Sequence, residues 1–477
     1  MNILHLDANN NSNNNKNSNS NNNNNNNNKQ IDRETHHNGH YSHDSVETRR
    51  NDSTQRQEMS SRFIEHHQSA TLLGWPTDIL SVDKINISAA GEDPNPNPVH
   101  TIHTIIIHIP GNPGQYNWYN SDFRDILSGL GDGYSLRSIS HAGHGLINNN
   151  SINSSSSSSS SGSNNNSIVD VEDHCRRRRS CHEESASASI PWTVDGQVLH
   201  KIAYIDSLLL LIKQHSNHSR FIPNPKFIWM GHSFGCHIIQ RICVLRKDIL
   251  KRTEGFLFLM PYIRTFPNNV IDQKNLNFCG NNQDHLINIG TRLSQTIRLF
   301  PESVVRSLIR NGMKRDDDEI TNLTTTLLRQ PIYPQNFLQL GTEEIRDIPN
   351  EIDVTALRLL SSSSSSNKSG GGGGGRERPI FILYAGDNDQ WCPYFHGEEI
   401  ISLQSVNVLP SSIKITKIPG LRHDYVCQNR VTRSKVNDWC ISNISSVNNT
   451  NANPSTSDDG DCYRSVAPNT MALASKL

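Results

Sequence analysis

The chain has 477 residues, of which 34% are hydrophobic and 6% aromatic, and its 45 Lys and Arg nearly balance 46 Asp and Glu. The net charge of −1 argues against a protein whose main partner is a nucleic acid, because such proteins carry a basic excess on one face. The nine scattered cysteines do not have the pattern of a disulfide framework and favour a reducing compartment.

Long Asn, Ser and Gly runs divide the chain. Their composition buries too little apolar area to offset the entropy of ordering the backbone. The sequence therefore predicts one globular domain over residues 61–447, with disordered tails over 1–60 and 448–477 and low-complexity inserts over 148–188 and 361–376.

Targeting and membrane-spanning segments are not apparent in the sequence. The first residues lack both the basic region and the apolar stretch of about 7–15 residues that a signal peptide needs. Apolar runs also fall short of the roughly 18 residues of a spanning helix. We expect a protein of the cytosol or of the cytosolic side of a membrane surface.

Two groups of charged or metal-binding residue types lie in the polar tracts. The histidines from His36 to His43 could be metal ligands, but histidines scattered in a polar tract are more typical of disordered sequence. Arg176–Arg179 could bind a phosphate, although a solvated charge patch is the commoner meaning of such a run. We assign no metal, cofactor or nucleic-acid site to either group.

Strand-like and helix-like segments alternate through the globular part. Apolar runs that end in Gly, Pro or Asn predict strands at TIHTIIIHIP, YSLRSIS, KFIWM, GFLFLMPYI, PIFILYA and IKITKI. Apolar residues at helical spacing predict helices at WYNSDFRDILSGL, residues 194–213 and CHIIQRICVLRK. This alternation predicts an α/β fold, with a mostly parallel sheet covered by helices on both faces. Residues 268–360 interrupt it and predict a helical insertion over the carboxyl edge of the sheet.

The segment Gly231–Gly235 reads GHSFG and matches the G-x-S-x-G pattern of a nucleophile turn. Glycine permits the close backbone approach that a strained strand-to-helix turn requires. An ordinary Gly-Ser turn can match by chance, but here a predicted strand precedes the motif and a predicted helix follows it. We therefore predict Ser233 as a nucleophile whose Oγ lies above the sheet edge.

A serine nucleophile needs a base that removes its proton and an acid that orients the base. His423 follows the last predicted strand and is the candidate base, although it could be a surface or packing histidine. Asp389 follows the strand PIFILYA and is the candidate acid, with Asp387 as the alternative. The chain order Ser, Asp, His is that of α/β-hydrolases, so we expect these distant side chains to meet at one sheet edge.

An acyl-transfer site must also stabilise a tetrahedral oxyanion with N–H groups. One donor is expected to be the backbone N–H of Phe234, directly after Ser233. The other is expected in the turn Gly111–Gly114, where Asn112 is the candidate because Pro113 has no N–H. The same turn could instead be only a tight connection.

His141 and His144 lie at the carboxyl end of a predicted strand, where ligands bind in such sheets. They could contact substrate or hydrogen-bond to neighbouring loops. We therefore leave them outside the catalytic set.

Several segments together resemble the lipid droplet-associated hydrolase family of the α/β-hydrolase superfamily: IPGNPGQYNWY, ISHAGHG, QVLHKIAYID, GHSFG, MPYIRTFPNNV, YAGDNDQWCP and RHDYV. The resemblance covers about residues 75–445 apart from the inserts. It implies an α/β-hydrolase fold with a helical cap after strand 6 of that fold, which is GFLFLMPYI in this sequence, and the triad Ser233, Asp389 and His423. The segment RHDYV replaces the commoner H-A-F of the family, so the residues next to His423 differ from the family pattern.

The resemblance also implies serine esterase or lipase activity on lipid esters, with sterol esters proposed for the family. It implies a location at the surface of lipid droplets and the endoplasmic reticulum, on the cytosolic side. Lipid esters and a lipid droplet or membrane surface are the expected partners, and no cofactor is expected. Two alternatives stay open: acyl transfer by the same triad, and a catalytically weak protein that tethers or organises lipid droplets.

The segment TRLSQTIRLFPESVVRSLIR in the insertion combines arginines with apolar residues. This combination predicts interfacial helices lying on a phospholipid monolayer, split in two at Pro301. Alternatively, the segment covers the active site and buries its apolar faces on the domain.

Overall fold

The computed structural model describes residues 62–73, 75–85, 102–145, 192–215, 221–264, 283–313, 318–330, 332–362, 377–386, 389 and 391–449. All of them belong to one unit over residues 61–477. The predicted tails and inserts lie almost wholly outside the described residues, as do Asp387, Arg176–Arg179 and the histidines from His36 to His43. The domain boundaries therefore stay predictions.

The described strands form one eight-stranded sheet in the order β1-β2-β4-β3-β5-β6-β7-β8. Strand β2 pairs antiparallel with both β1 and β4, and all the other neighbours pair in parallel. This confirms the α/β-hydrolase fold with a mostly parallel sheet. The strands are β1 Arg62–Leu72, β2 Trp75–Ile85, β3 Ile102–Ile109, β4 Tyr134–Ile139, β5 Phe221–His232, β6 Thr253–Leu259, β7 Ile380–Tyr384 and β8 Ile413–Lys417.

The central strands contain the continuous apolar runs that sequence reasoning used to find them. Ile105–Ile107 of β3, Phe227–Met230 of β5 and Phe256–Leu259 of β6 are all buried. A parallel strand covered on both faces has no polar side, so its sequence does not alternate. These runs form the centre of the hydrophobic core.

Sequence reasoning did not find the hairpin of β1 and β2. The side chains from His66 to Ser69 on β1 are exposed, because β1 is at the edge of the sheet with only one neighbouring strand. An exposed edge strand has few apolar residues and is therefore difficult to distinguish from a polar connection.

The helices connect the strands and pack in pairs: α1 contacts α11, and α2 contacts α3. None of the described helices is long and apolar enough to cross a membrane. Short 3-10 helices cover Tyr116–Tyr119 and Tyr425–Cys427. The α-helices are α1 Asn120–Gly129, α2 Val194–His215, α3 Phe234–Leu245, α4 Lys247–Lys251, α5 Gln283–Leu299, α6 Glu302–Met313, α7 Asp318–Leu328, α8 Tyr333–Asp347, α9 Val354–Ser361, α10 Phe395–Ser405 and α11 Arg430–Asn449.

Helices α5 to α9 lie between β6 and β7 in the chain, where the helical insertion was predicted. Helix α8 contacts the loops that follow β3 and β4 at the carboxyl edge of the sheet. Three hydrogen bonds join them: Tyr333 hydroxyl to Pro113 O (3.1 Å), Asn112 Nδ2 to Phe337 O (3.0 Å), and Asn336 Nδ2 to Gly143 O.

Substitution of two glycines tests the close approach of α3 to β3. A Cβ at Gly235 would lie 2.2 Å from the backbone oxygen of Ile109, whereas one at Gly312 in α6 meets nothing within 4 Å. We expect Gly235→Ala to lower the free energy of unfolding by about 2–3 kcal/mol. Gly312→Ala should raise it by up to about 1 kcal/mol, because alanine favours a helix. Equal urea midpoints for the two variants would contradict this packing.

Candidate active site

Ser233 is the single residue between the end of β5 at His232 and the start of α3 at Phe234. Its backbone has φ 51° and ψ −122°, a combination that residues with a side chain rarely adopt. Two hydrogen bonds hold the turn: Ser233 N–H donates to Leu259 O (2.9 Å), and Cys236 N–H donates to Ser233 O (3.0 Å). The turn therefore has the strained strand-to-helix geometry expected of a nucleophile.

Glycine on two sides makes room for this turn. A Cβ at Gly111 would lie 2.8 Å from Ser233 Cβ, and one at Gly235 would overlap the backbone of Ile109. Real Cβ atoms do not approach other atoms so closely. The loop after β3 therefore lies directly against the serine. A larger residue at Gly111 or Gly235 would clash with this arrangement, which explains the glycine at each position.

His423 lies on the loop that follows β8, after Gly420, which has a φ of 76°. Its Nε2 is 2.8 Å from Ser233 Oγ, and its Nδ1 is 3.0 Å from Asp389 Oδ2. An ionised carboxylate only accepts hydrogen bonds, so Nδ1 carries the hydrogen and Nε2 accepts from the serine hydroxyl. His423 thus lies within hydrogen-bonding distance of both Ser233 and Asp389, the side chains that it was predicted to meet.

Asp389 is buried and follows β7. Its Oδ1 accepts the backbone N–H groups of Trp391 (2.9 Å) and Cys392 (3.0 Å). Burial alone would raise the pKa of this carboxyl group, but His423 and the two N–H groups outweigh burial and lower it. Asp389 is therefore held as a carboxylate beside the imidazole.

The two predicted oxyanion donors belong to backbone segments that adjoin Ser233. Phe234 begins α3, so its N–H has no acceptor within the helix. Asn112 directly follows Gly111, whose Cα faces Ser233, and the Asn112–Pro113 peptide bond is cis. The side chain of Asn112 bonds to Phe337 O in α8. The loop that carries Asn112 thus lies against the Ser233 side chain, and Phe234 directly follows Ser233 in the chain.

His141 and His144 are buried behind the loop that carries Asn112. The N–H of His141 donates to Gly114 O (2.8 Å), and the side chain of Gln115 donates to His144 O. Burial lowers the pKa of His141 well below its usual value and that of His144 to about 4. Neither contacts the serine hydroxyl in the described structure, and both support the loop.

Sequence reasoning did not single out two titratable residues of this region. His232, directly before Ser233, bonds to the hydroxyl of Tyr119 and to the backbone oxygen of His423. Glu344 of α8 is buried, which raises its pKa well above the usual value, although a hydrogen bond from Asn112 opposes this. Their partners are far away in the chain, so no local motif indicates them.

The geometry of the described side chains suits proton transfer from the serine hydroxyl. The connected hydrogen bonds of Asp389, His423 and Ser233 can move a proton from the hydroxyl to the imidazole. Within the described ranges, no group of three His, Cys, Asp or Glu side chains is arranged to hold a metal ion.

Residues 102–426 match a family model described as lipid-droplet associated hydrolase. The lipid droplet-associated hydrolase of Gallus gallus is 22% identical over 339 residues, which cover 69% of this chain and 82% of that protein. Among solved structures, a peroxisomal alpha-beta-hydrolase from Saccharomyces cerevisiae is similar with a TM-score of 0.45 and 12% identity, covering 82% of this chain and 89% of that one. An epoxide hydrolase from Vigna radiata gives a TM-score of 0.43 and 9% identity, covering 80% and 98%.

The backbone of Ser233 can be tested separately from its hydroxyl. Ser233→Ala and Ser233→Gly both remove Oγ, but only glycine adopts φ 51° without strain. We expect Ser233→Gly to be about 1 kcal/mol more stable than Ser233→Ala in urea denaturation. If Ser233→Ala were the more stable variant, the turn would not carry this strain.

Proposed function

The chain belongs to the lipid-droplet associated hydrolase family, as its motifs predicted, and from this premise we propose that it cleaves lipid esters through an acyl-enzyme on Ser233. The observation that carries the proposal is the pair of hydrogen bonds from His423 to Ser233 Oγ and to Asp389. Sterol esters are the proposed substrates within this class.

In the proposed acylation step, His423 Nε2 takes the proton of Ser233 as Oγ attacks the ester carbonyl. The charge of Asp389 stabilises the imidazolium that forms, while Nδ1–H stays bonded to it. The backbone N–H groups of Phe234 and Asn112 stabilise the oxyanion, each by an amount equivalent to about 10²–10³ in rate. His423 then gives its proton to the leaving alcohol, and water releases the fatty acid by the reverse sequence.

Exposed aromatic side chains on the segment that follows Asp389, one of them beside the base, support an apolar substrate. Trp391 is 49% exposed, and its ring centroid lies 6.5 Å from that of His423. Phe395, four residues further along the chain at the start of α10, is 36% exposed. A long acyl or sterol group covering these rings would remove apolar surface from water, which favours binding.

Helices α5 and α6 support a lipid surface as the place of action. Ser294 and Val305 are buried, so these helices do bury one side against neighbouring residues. Six apolar side chains of these helices and of the connection between them are exposed, and we call them the ridge: Ile289, Leu293, Leu299, Phe300, Val304 and Leu308. Exposed Arg292 and Arg298 lie along the same helix as its first members. We propose that the ridge rests on the phospholipid monolayer of a lipid droplet or on the endoplasmic reticulum, on the cytosolic side.

Covalent labelling tests the proposed nucleophile. We expect a fluorophosphonate to modify the protein stoichiometrically and Ser233→Ala to abolish both labelling and ester turnover. Asp389→Asn should reduce turnover by about 10³–10⁴-fold, because an amide that donates to Nδ1 would fix the hydrogen on Nε2, which then cannot take the serine proton.

The same assay separates the alternatives. Sterol, glycerol and short aryl esters are offered to purified protein, with folded Ser233→Ala as the control. A folded protein with unreactive Ser233 would overturn the proposal and favour a tethering role. Preferential formation of a new ester when an alcohol is added would favour acyl transfer over hydrolysis.

The ridge is tested with a matched pair of triple variants. Leu293→Ser, Leu299→Ser and Leu308→Ser together should weaken binding to phospholipid-coated triolein droplets about tenfold or more, because less apolar area enters the monolayer. The control carries Leu199→Ser, Leu245→Ser and Val431→Ser, which are similarly exposed on other helices. Equal loss in a flotation assay would show that the ridge has no special role.

A further inference from the structure

We propose that His232 and Tyr119 position the catalytic base through a directed chain of hydrogen bonds, an inference that rests on the proposed function. Gly111 N–H lies 3.4 Å from the Tyr119 hydroxyl oxygen, and this hydroxyl lies 2.7 Å from His232 Nδ1. His232 Nε2 lies 2.9 Å from the backbone oxygen of His423. The chain thus runs from the loop after β3 to the loop that carries the base.

The direction of each bond follows from the last acceptor. The backbone oxygen of His423 can only accept, so the hydrogen of the His232 ring is on Nε2. A neutral imidazole carries one ring hydrogen, so Nδ1 accepts, and the Tyr119 hydroxyl must donate to it. The oxygen of that hydroxyl is then free to accept the Gly111 N–H. Only one arrangement of hydrogens satisfies every member.

The surroundings keep both side chains in these forms. Burial, with a smaller contribution from nearby His423, lowers the pKa of His232 to about 3. Burial raises the pKa of Tyr119, so its hydroxyl keeps its hydrogen. The ring of Tyr425 stands edge-on against His232, with centroids 5.3 Å apart. The pair therefore presents fixed dipoles and no added charge beside His423.

The hydrogen-bond chain connects the three segments whose relative positions matter for the proposed reaction. Tyr119 bonds to Gly111, the neighbour of the oxyanion donor Asn112, and His232 is the neighbour of the nucleophile. The His232 ring bonds to the backbone oxygen of His423, whereas Asp389 bonds to its side chain, so the base is held at two separate points. Displacement of a reacting group by about 1 Å costs about 10²-fold in rate. His232 and Tyr119 are positioning residues and do not react themselves.

Two substitutions of His232 separate the two ends of its ring. The side-chain amide of His232→Gln can place an N–H near the position of Nε2 and keep the bond to the His423 backbone. That of His232→Asn reaches only the position of Nδ1 and keeps the bond to Tyr119. Loss of ring packing is common to both variants, so it cannot explain a difference between them.

We expect His232→Asn to lower kcat and the fluorophosphonate labelling rate by about 10–100-fold, with KM unchanged because His232 does not contact substrate. His232→Gln should lose less than about threefold. The loss in Tyr119→Phe should lie between those of the two His232 variants, because the missing phenol hydrogen no longer fixes the ring hydrogen of His232 on Nε2. Thermal unfolding confirms that each variant is folded.

Equal losses in His232→Asn and His232→Gln would show a packing role and overturn the proposal, as would no loss in either. If the wild-type protein is not labelled at all, the proposed function fails. Nitrogen NMR of ¹⁵N-histidine-labelled protein at pH 7 then decides this inference separately. The Nδ1 signal of His232 is assigned as the one that is missing in His232→Gln. An unprotonated Nδ1 whose signal shifts in Tyr119→Phe supports the hydrogen-bond chain, whereas a protonated Nδ1 contradicts it.

Discussion

The site depends on one steric constraint, the space at the carboxyl end of β5. Ser233 adopts a left-handed φ there, and its side chain leaves the sheet between two backbones that approach without intervening Cβ atoms. Because Gly111 and Gly235 permit this approach, the N-terminus of α3 and the loop after β3 face the same point.

The sheet order explains how Asp389 and His423 reach this point. Strands β5, β6, β7 and β8 are successive parallel neighbours, so their carboxyl ends lie along one edge. Asp389 follows β7 and His423 follows β8, which places both on loops at that edge. Side chains separated by 190 residues in the chain thereby come within hydrogen-bonding distance. Parallel pairing converts chain order into proximity, which is why the order Ser, Asp, His could be used as a prediction.

Sequence reasoning reached the fold, the family and the meeting of Ser233, Asp389 and His423, because each depends on a local pattern. Buried parallel strands read as apolar runs, and a strand, a turn and a helix surround the serine. The hairpin of β1 was missed because its side chains are exposed. His232 was missed because its partner Tyr119 is 113 residues away and nothing near it in the chain distinguishes it from any other residue of the motif.

The polar groups of the site are costly to bury, and this cost explains how their network is arranged. A strained backbone of the kind at Ser233 costs about 1–3 kcal/mol and persists only where the surroundings determine it. Asp389 is buried, yet its two oxygens accept three N–H groups between them. His232 is buried, yet both ring nitrogens are bonded. Since an unpaired buried polar group costs about 1–3 kcal/mol, moving any member would break bonds to several segments at once. The hydrogen bonds that offset the cost of burial therefore also hold Ser233, Asp389 and His423 in a single arrangement.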